Sequence, residues 1–412
     1  MPSHRWMPGL LAGVALATSA QAEPLTFGQA LDRARANAPS LEAGALQVQA
    51  ARSSAQAAGT LPDPQLKAGI DNFPITGPNA GRIGADEMTM GRVGIVQEVP
   101  NRARRRAEEA VARADISVAE DRVRLEARVV RISAALAWID LYYAEQRLAA
   151  LDGVLHDLSP IWEAAPSGVV SGRARPAAAL APIQGRAKLD DRRSELAAAL
   201  TKARADLARW TGDAVPEAAG TPPGFDIDPA SLRAGLERQP TVAAFDSAAR
   251  RAEADLALAR AAKRPDWSFE LAYGRRDPMF GDMVSAGVTV RLPIFNARRY
   301  DPVIAARLAD ASRVRAERED VRRQLVAALE GDLADHTMHH DQAHRAREVV
   351  LPTAQQQADL ETASYGAGTA SISDVLEAFT SLADAKLDAL EKDAMVARDG
   401  VRITLTYGGE PS

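Results

Sequence analysis

Two stretches of the chain alternate apolar and polar residues with period two. Trp267, Phe269, Leu271 and Tyr273 interleave with Ser268, Glu270, Ala272 and Gly274, and Val284, Ala286, Val288, Val290 and Leu292 interleave with Ser285, Gly287, Thr289 and Arg291. The pattern predicts half-buried strands with one apolar face at about 267–274 and 284–292. A weaker version predicts two more at about 66–73 and 89–99. There Leu66, Ala68 and Ile70 alternate with Lys67, Gly69 and Asp71, followed by Val93, Ile95 and Val99 set against Arg92, Gly94, Val96 and Glu98.

The remaining pattern is helical and very long. From Asn101 to about Ala165 no convincing breaker interrupts the chain, and Val111, Val118, Leu125, Ile132 and Ile139 recur every seven residues beside Val129, Leu136 and Tyr143. That is the seam of a coiled coil. At 1.5 Å per residue the stretch is roughly 100 Å long, as is a second from about Ala297 to Tyr365. Glycines at Gly168 to Gly172 and at Gly366 to Gly368 then punctuate the chain. Helices return from about Arg173 to Trp210 and from Ser371 to about Ile403, the latter with its own heptad of Val375, Leu382, Ala389 and Val396.

These elements occur twice in the same order. Residues 23–211 form one repeat and 229–408 the other. Each opens on a proline-marked helix, after Asn37-Ala38-Pro39 or Arg238-Gln239-Pro240, that stops at a Pro-Asp, Pro62-Asp63 or Pro265-Asp266. Two strands and a long helical stretch follow in each. The linker 212–228 holds Pro216, Pro222, Pro223 and three glycines, and is expected to run irregularly around the outside at mid-height.

Strands with an apolar face and aromatics near one end suit a transmembrane barrel, yet a single-chain barrel needs at least about eight and this chain offers four. On strands alone, a small soluble sheet packed on helices fits equally. The helices decide, because no small domain encloses rods of that length. Four strands in lipid leave open edges, which other copies of the chain would have to close.

Composition narrows the function. The 412 residues include no cysteine, which excludes disulfide scaffolds, cysteine-ligated metal centres, thiol enzymes and an N-terminal lipid on cysteine. A net charge of −5 offers no basic field for nucleic acid. At the N-terminus, His4 and Arg5 precede an apolar run from Leu10 to Ala17, and Ala20-Gln21-Ala22 supplies a small-x-small cleavage site, so residues 1–22 are expected to be a signal peptide with Glu23 opening the mature chain. The run is far shorter than the roughly 20 residues of a spanning helix. No Gly-rich phosphate loop, nucleophile elbow or metal-protease spacing is present, and the expectation is that the chain is not an enzyme and carries no cofactor.

The stretch Tyr365-Gly366-Ala367-Gly368-Thr369-Ala370-Ser371-Ile372-Ser373-Asp374-Val375-Leu376-Glu377-Ala378 resembles the tip turn and returning helix of the TolC-type outer-membrane efflux factors. Leu25-Thr26-Phe27, Asn37-Ala38-Pro39 and Val290-Arg291-Leu292-Pro293-Ile294-Phe295-Asn296 support the resemblance, which covers nearly the whole mature chain. It implies a mainly α protein with a small transmembrane β part. Three copies would pool twelve strands into one barrel in outer-membrane lipid, above an α-helical tunnel in the periplasm. Leu61-Pro62-Asp63-Pro64-Gln65-Leu66, Asp71-Asn72-Phe73-Pro74 and Gln97-Glu98-Val99-Pro100 are most similar to the heavy-metal cation branch. The resemblance then implies a passive exit duct for an inner-membrane resistance-nodulation-division pump, joined through a periplasmic adaptor. Ducts for organic compounds or type I secretion share the fold. A periplasmic coiled-coil adaptor is a more distant alternative, since it should hold one helical hairpin in a β-rich frame.

Asp374 and Glu377 lie three apart on one helix face, and the resemblance implies that they narrow the tunnel mouth, their like charges raising each other's pKa. The plainer account is a pair of helix N-terminal carboxylates favouring the macrodipole. Gly368 would give the turn its freedom, and Tyr365 would either tie neighbouring helices shut or simply pack. In the first repeat Ala178 and Ala181 occupy the positions of these acids, and Arg173 and Arg175 nearby are candidates to pair with acids of the adjacent tip. His336, His340 and His344 repeat every four residues beside His339, Asp335 and Asp341, a spacing that allows metal contact. The cluster lies roughly 40 Å up the helix from Tyr365, where a solvated face is equally natural.

Overall fold

The computed structural model describes residues 24–170 and 180–408. The expected signal peptide, and Arg173, Arg175 and Ala178 of the first tip, lie outside the described residues.

Helix α1 (Phe27–Asn37) starts on a capping box in which Thr26 and Gln29 exchange hydrogen bonds, and Pro39 opens α2 (Pro39–Ala57) at a position where its missing N–H costs nothing. Strands β1 (Gln65–Asp71) and β2 (Met90–Val99) lead into α3 (Arg102–Val170), a single helix of 69 residues. Helix α4 (Leu180–Thr211) runs back along it. The second half repeats the plan with α5 (Pro229–Gly235), α6 (Pro240–Ala261), β3 (Asp266–Arg275), β4 (Met283–Arg291), α7 (Asp301–Arg345), α8 (Leu351–Gly366) and α9 (Ile372–Tyr407). Strand β1 stops two residues short of the expected 73 because Asn72 takes a left-handed turn at φ 55°.

The four strands form one antiparallel sheet in the order β1-β2-β3-β4, so the β2–β3 pair joins the two repeats. Leu66, Ile95, Leu271 and Ala286 stand in one row across the sheet, and Ala68, Val93, Tyr273 and Val284 in the next. All these apolar side chains share one face. Nothing among the described residues covers it: Leu66 is 73% exposed, Leu271 61% and Ile95 56%. The opposite face is polar, with Arg92 bonded to Asp71 at 3.1 Å and to Glu270 at 2.9 Å. Strands β1 and β4 have no partner on their outer edges among the described residues.

Below the sheet, α3 packs on α2 and α6 nearest the strands and on α4 and α9 towards the tip. The heptad of large residues is not its buried seam. Val111, Val118, Leu125 and Ile132 are half-buried, Val129 is exposed and Ile139 is buried, whereas Ala107, Ala114, Asp121 and Ala135 are buried on a second ladder of seven in which Arg128 is half-buried. Small residues allow close helix approach, and the larger ones flank it. The returning heptad holds better, with Val375, Leu382 and Ala389 buried.

The second long helix is not uniform. A π-helical turn at Ala346–Val350 separates α7 from α8, and Pro352 follows it directly. Proline lacks a donor and its ring would meet the carbonyl four residues back, so the wider turn absorbs the misfit. Another π turn, Asn296–Tyr300, joins the sheet to α7.

At mid-height the segment 212–228 returns to the start of the chain. Leu25 forms a parallel bridge with Ala218, and its carbonyl accepts the Trp138 indole N–H at 2.7 Å. Phe27 meets Trp138 edge-on and Tyr142 stacks on the same indole. Phe225 of the linker lies so close to Gly400 of α9 that a Cβ there would stand 2.5 Å from the ring, which accounts for a glycine inside that helix. Among the described residues no helix is long and apolar enough to cross a membrane.

Candidate functional site: the helical tip and the apolar band

The tip is built by the ends of four helices, α3, α4, α8 and α9, around one apolar cluster. Leu151, Val154 and Leu158 of α3 meet Leu189 and Leu196 of α4, Ala354 and Ala358 of α8, and Val375, Phe379 and Leu382 of α9. Tyr365 packs, half-buried, against this cluster, and its hydroxyl has no hydrogen bond among the described residues. Simple packing is therefore its role within one chain.

The turn beyond it closes through backbone. Gly368 takes φ 80° and donates to the Tyr365 carbonyl at 3.0 Å, while the Thr369 N–H and hydroxyl both reach the Ser364 carbonyl. A residue with a Cβ is strained at that φ, so glycine is the residue the turn requires.

Asp374 is occupied locally. It is the third residue of α9, its carboxylate accepts the Ser371 N–H at 2.8 Å, and its own N–H donates to the Ser371 hydroxyl. The pair is a capping box, legible in the sequence as Ser-x-x-Asp before an apolar run. Within one chain, hydrogen bonding to Ser371 holds the Asp374 carboxyl below the usual range. Within the chain a donor pair faces it, not a second carboxylate. Glu377, one turn on, is exposed with no ion pair or hydrogen bond among the described residues. Gly185 of α4 faces Leu376 beside it, and Arg186 lies over the Trp162 ring at 5.2 Å. No sequence signal marks that contact, because it joins helices whose pairing only the fold sets.

The histidines do not converge. The His336 and His340 rings are 6.4 Å apart and tilted, His344 is exposed, and no group of three or more His, Cys, Asp or Glu among the described residues could hold a metal ion. Burial lowers the pKa of His336. The strongest contact belongs to His339, outside the proposed triad: its Nδ1 meets the buried Asp399 carboxylate at 2.7 Å, which also accepts from Arg402. This ties α7 to α9 and gives the cluster a structural reason.

The sheet supplies the second functional surface. Its exposed apolar face spans all four strands, and Leu292, Ile294 and Phe295 extend it past the end of β4. Contiguous exposed apolar area of this kind marks contact with a membrane or another protein.

Comparison with known proteins agrees with this geometry. Residues 232–409 match the family model described as outer membrane efflux protein. The chain is 25% identical over 388 residues to the cobalt-zinc-cadmium resistance protein CzcC of Cupriavidus metallidurans, covering 89% of this chain and 86% of that one. In fold it is similar to a membrane protein from Pseudomonas aeruginosa (TM-score 0.80, 18% identity, 93% and 90% of the two chains) and to CusC (0.78, 17%, 93% and 92%). It is likewise similar to the CmeC outer membrane channel of Campylobacter jejuni (0.78, 13%, 93% and 85%).

Proposed function

We propose that this chain is the outer-membrane exit duct of a tripartite efflux system, passing heavy-metal cations, because residues 232–409 match the outer membrane efflux protein model and nearly the whole chain has the fold of outer-membrane channels. One observation carries the duct: a four-stranded sheet with an uncovered apolar face and two free edges stands on helices about 100 Å long. Three copies closed edge to edge make a barrel with lipid outside and the polar face lining the lumen. The helices then carry the passage through the periplasm to a tip where an adaptor and an inner-membrane pump dock. Conduction needs no catalytic group.

The cation assignment is supported by the likeness to a cobalt-zinc-cadmium resistance protein. Cells lacking this chain are expected to retain one or two of zinc, cadmium, cobalt, copper and silver relative to complemented cells, with a lipophilic dye cleared normally. Dye retention with normal metals would keep the duct and reassign its cargo to organic compounds.

Asp374 and Glu377 are assigned to the mouth of the closed duct, where three copies bring six carboxylates together. Asp374→Ala with Glu377→Ala is expected to raise the conductance of the reconstituted assembly and alter its cation selectivity. Ser371→Ala removes the cap but keeps both acids, separating helix fraying from gating. Unchanged conductance in the double variant would sink the gate assignment.

A further inference from the structure

At the foot of the sheet, where β3 and β4 meet α3, α6 and α7, lies a hollow of about 420 Å³ that the duct reading leaves without a role. Five arginines line it, Arg104, Arg264, Arg291, Arg299 and Arg307, against three carboxylates, Glu108, Asp255 and Asp266. The carboxylates are all engaged. Arg104 takes Glu108 at 3.0 Å and Asp266 at 3.4 Å, and Asp255 pairs with Arg251. Arg307 reaches Asp310 at 3.4 Å.

That leaves three guanidinium groups, on Arg264, Arg291 and Arg299, with no ion pair among the described residues. Arg299 rests over the Tyr300 ring at 5.7 Å, a contact that leaves its N–H groups available. Glu98 lines the adjoining smaller hollow and has no ion pair among the described residues. A pocket with spare planar donors and neutralised acids is built for an oxyanion, since a guanidinium meets phosphate with two parallel hydrogen bonds.

We propose that Arg264, Arg291 and Arg299 form a binding site for a phosphate-class oxyanion. Such a group could come free in water or as a lipid headgroup, and the register favours water. Asp266 and Arg291 stand opposite each other on the sheet's polar face, with Ser268 and Thr289 beside them, turned away from the apolar band. That face lines the lumen if the duct reading holds; the binding itself does not rest on that reading.

The test is calorimetric titration of inorganic phosphate into the detergent-solubilised full chain, in chloride-free buffer of fixed ionic strength. The wild type is expected to bind phosphate, Arg291→Gln to bind it roughly tenfold more weakly, and the triple glutamine variant R264Q/R291Q/R299Q to lose it. The triple lysine variant R264K/R291K/R299K keeps the charge without the fork and should retain part of the affinity; should the glutamine triple misfold, Arg291→Gln carries the comparison. No binding to the wild type, or equal affinity in the wild type and Arg291→Gln, overturns the site. Nanodiscs of phosphatidylglycerol that stabilise the wild type while phosphate does nothing in phosphatidylcholine discs would overturn the water-borne source. A chain that binds phosphate but never conducts ions keeps this site and loses the duct.

Discussion

Leu271→Arg is expected to eliminate the assembled protein from the outer-membrane fraction, read as loss of the heat-sensitive oligomer band after detergent extraction. Leu271 sits in the middle row of the apolar face, between Ile95 and Ala286, and is 61% exposed. In water an exposed leucine to arginine change shifts stability by no more than about 0.5 kcal/mol. At the midplane of a bilayer it costs about 2–4 kcal/mol in each copy, because a guanidinium must enter hydrocarbon. The two environments predict opposite outcomes for one substitution. Thr289→Arg, exposed on the polar face, is the matched control and should assemble normally. An abundant oligomer of the Leu271 variant would mean that something other than lipid covers the band.

Trp138→Ala is expected to destabilise the fold by about 3–5 kcal/mol, the range for emptying a buried aromatic site. The indole is fully buried at the waist of α3, stacked on Tyr142 and edge-on to Phe27, and it donates to the Leu25 carbonyl. Trp138→Phe keeps most of the apolar contact and removes one of the two donors to that carbonyl, which still accepts the Ala219 N–H at 2.9 Å, for a loss of about 0.5–1.5 kcal/mol. Membrane assemblies unfold irreversibly, so the readable quantity is the half-life at elevated temperature. Protease cleavage near Leu25 should accelerate in parallel, since the indole is what pins that segment to α3. If the alanine variant matched the wild type in both measurements, the aromatic cluster would be ornament and the tie between Leu25 and Ala218 would hold the waist alone.

Much of this architecture was legible in the residues. Period-two alternation located all four strands, and it did so because each strand keeps one apolar side and one polar side. Alternation says nothing of what covers the apolar side, which is why the strands alone fitted a covered sheet and an exposed face equally. The long helices were legible from their unbroken length. Their seam was not, because α3 has neighbours on both flanks and carries two ladders spaced by seven; the ladder of Ala107, Ala114, Asp121 and Ala135 is the more deeply buried over most of its length. Pro352 was readable as a proline, but the π turn that accommodates it depends on the chain staying helical on both sides. At the tip, Gly368 followed from the turn chemistry, whereas Asp374 shows how a carboxylate singled out for a shared charge can first serve its own helix. His339 was visible beside the triad but its role was not, because its partner Asp399 lies 60 residues away on another helix.

The unpaired outer edges of β1 and β4 have a genetic consequence. If three copies close edge to edge as proposed, a copy with sound edges but a blocked lumen still enters the ring beside intact copies. In a cell making equal amounts of intact and blocked copies, only about one three-membered ring in eight is wholly intact. Loss-of-function alleles of the tip should therefore behave as dominant, whereas alleles that destroy a strand edge should behave as recessive, because their products never join.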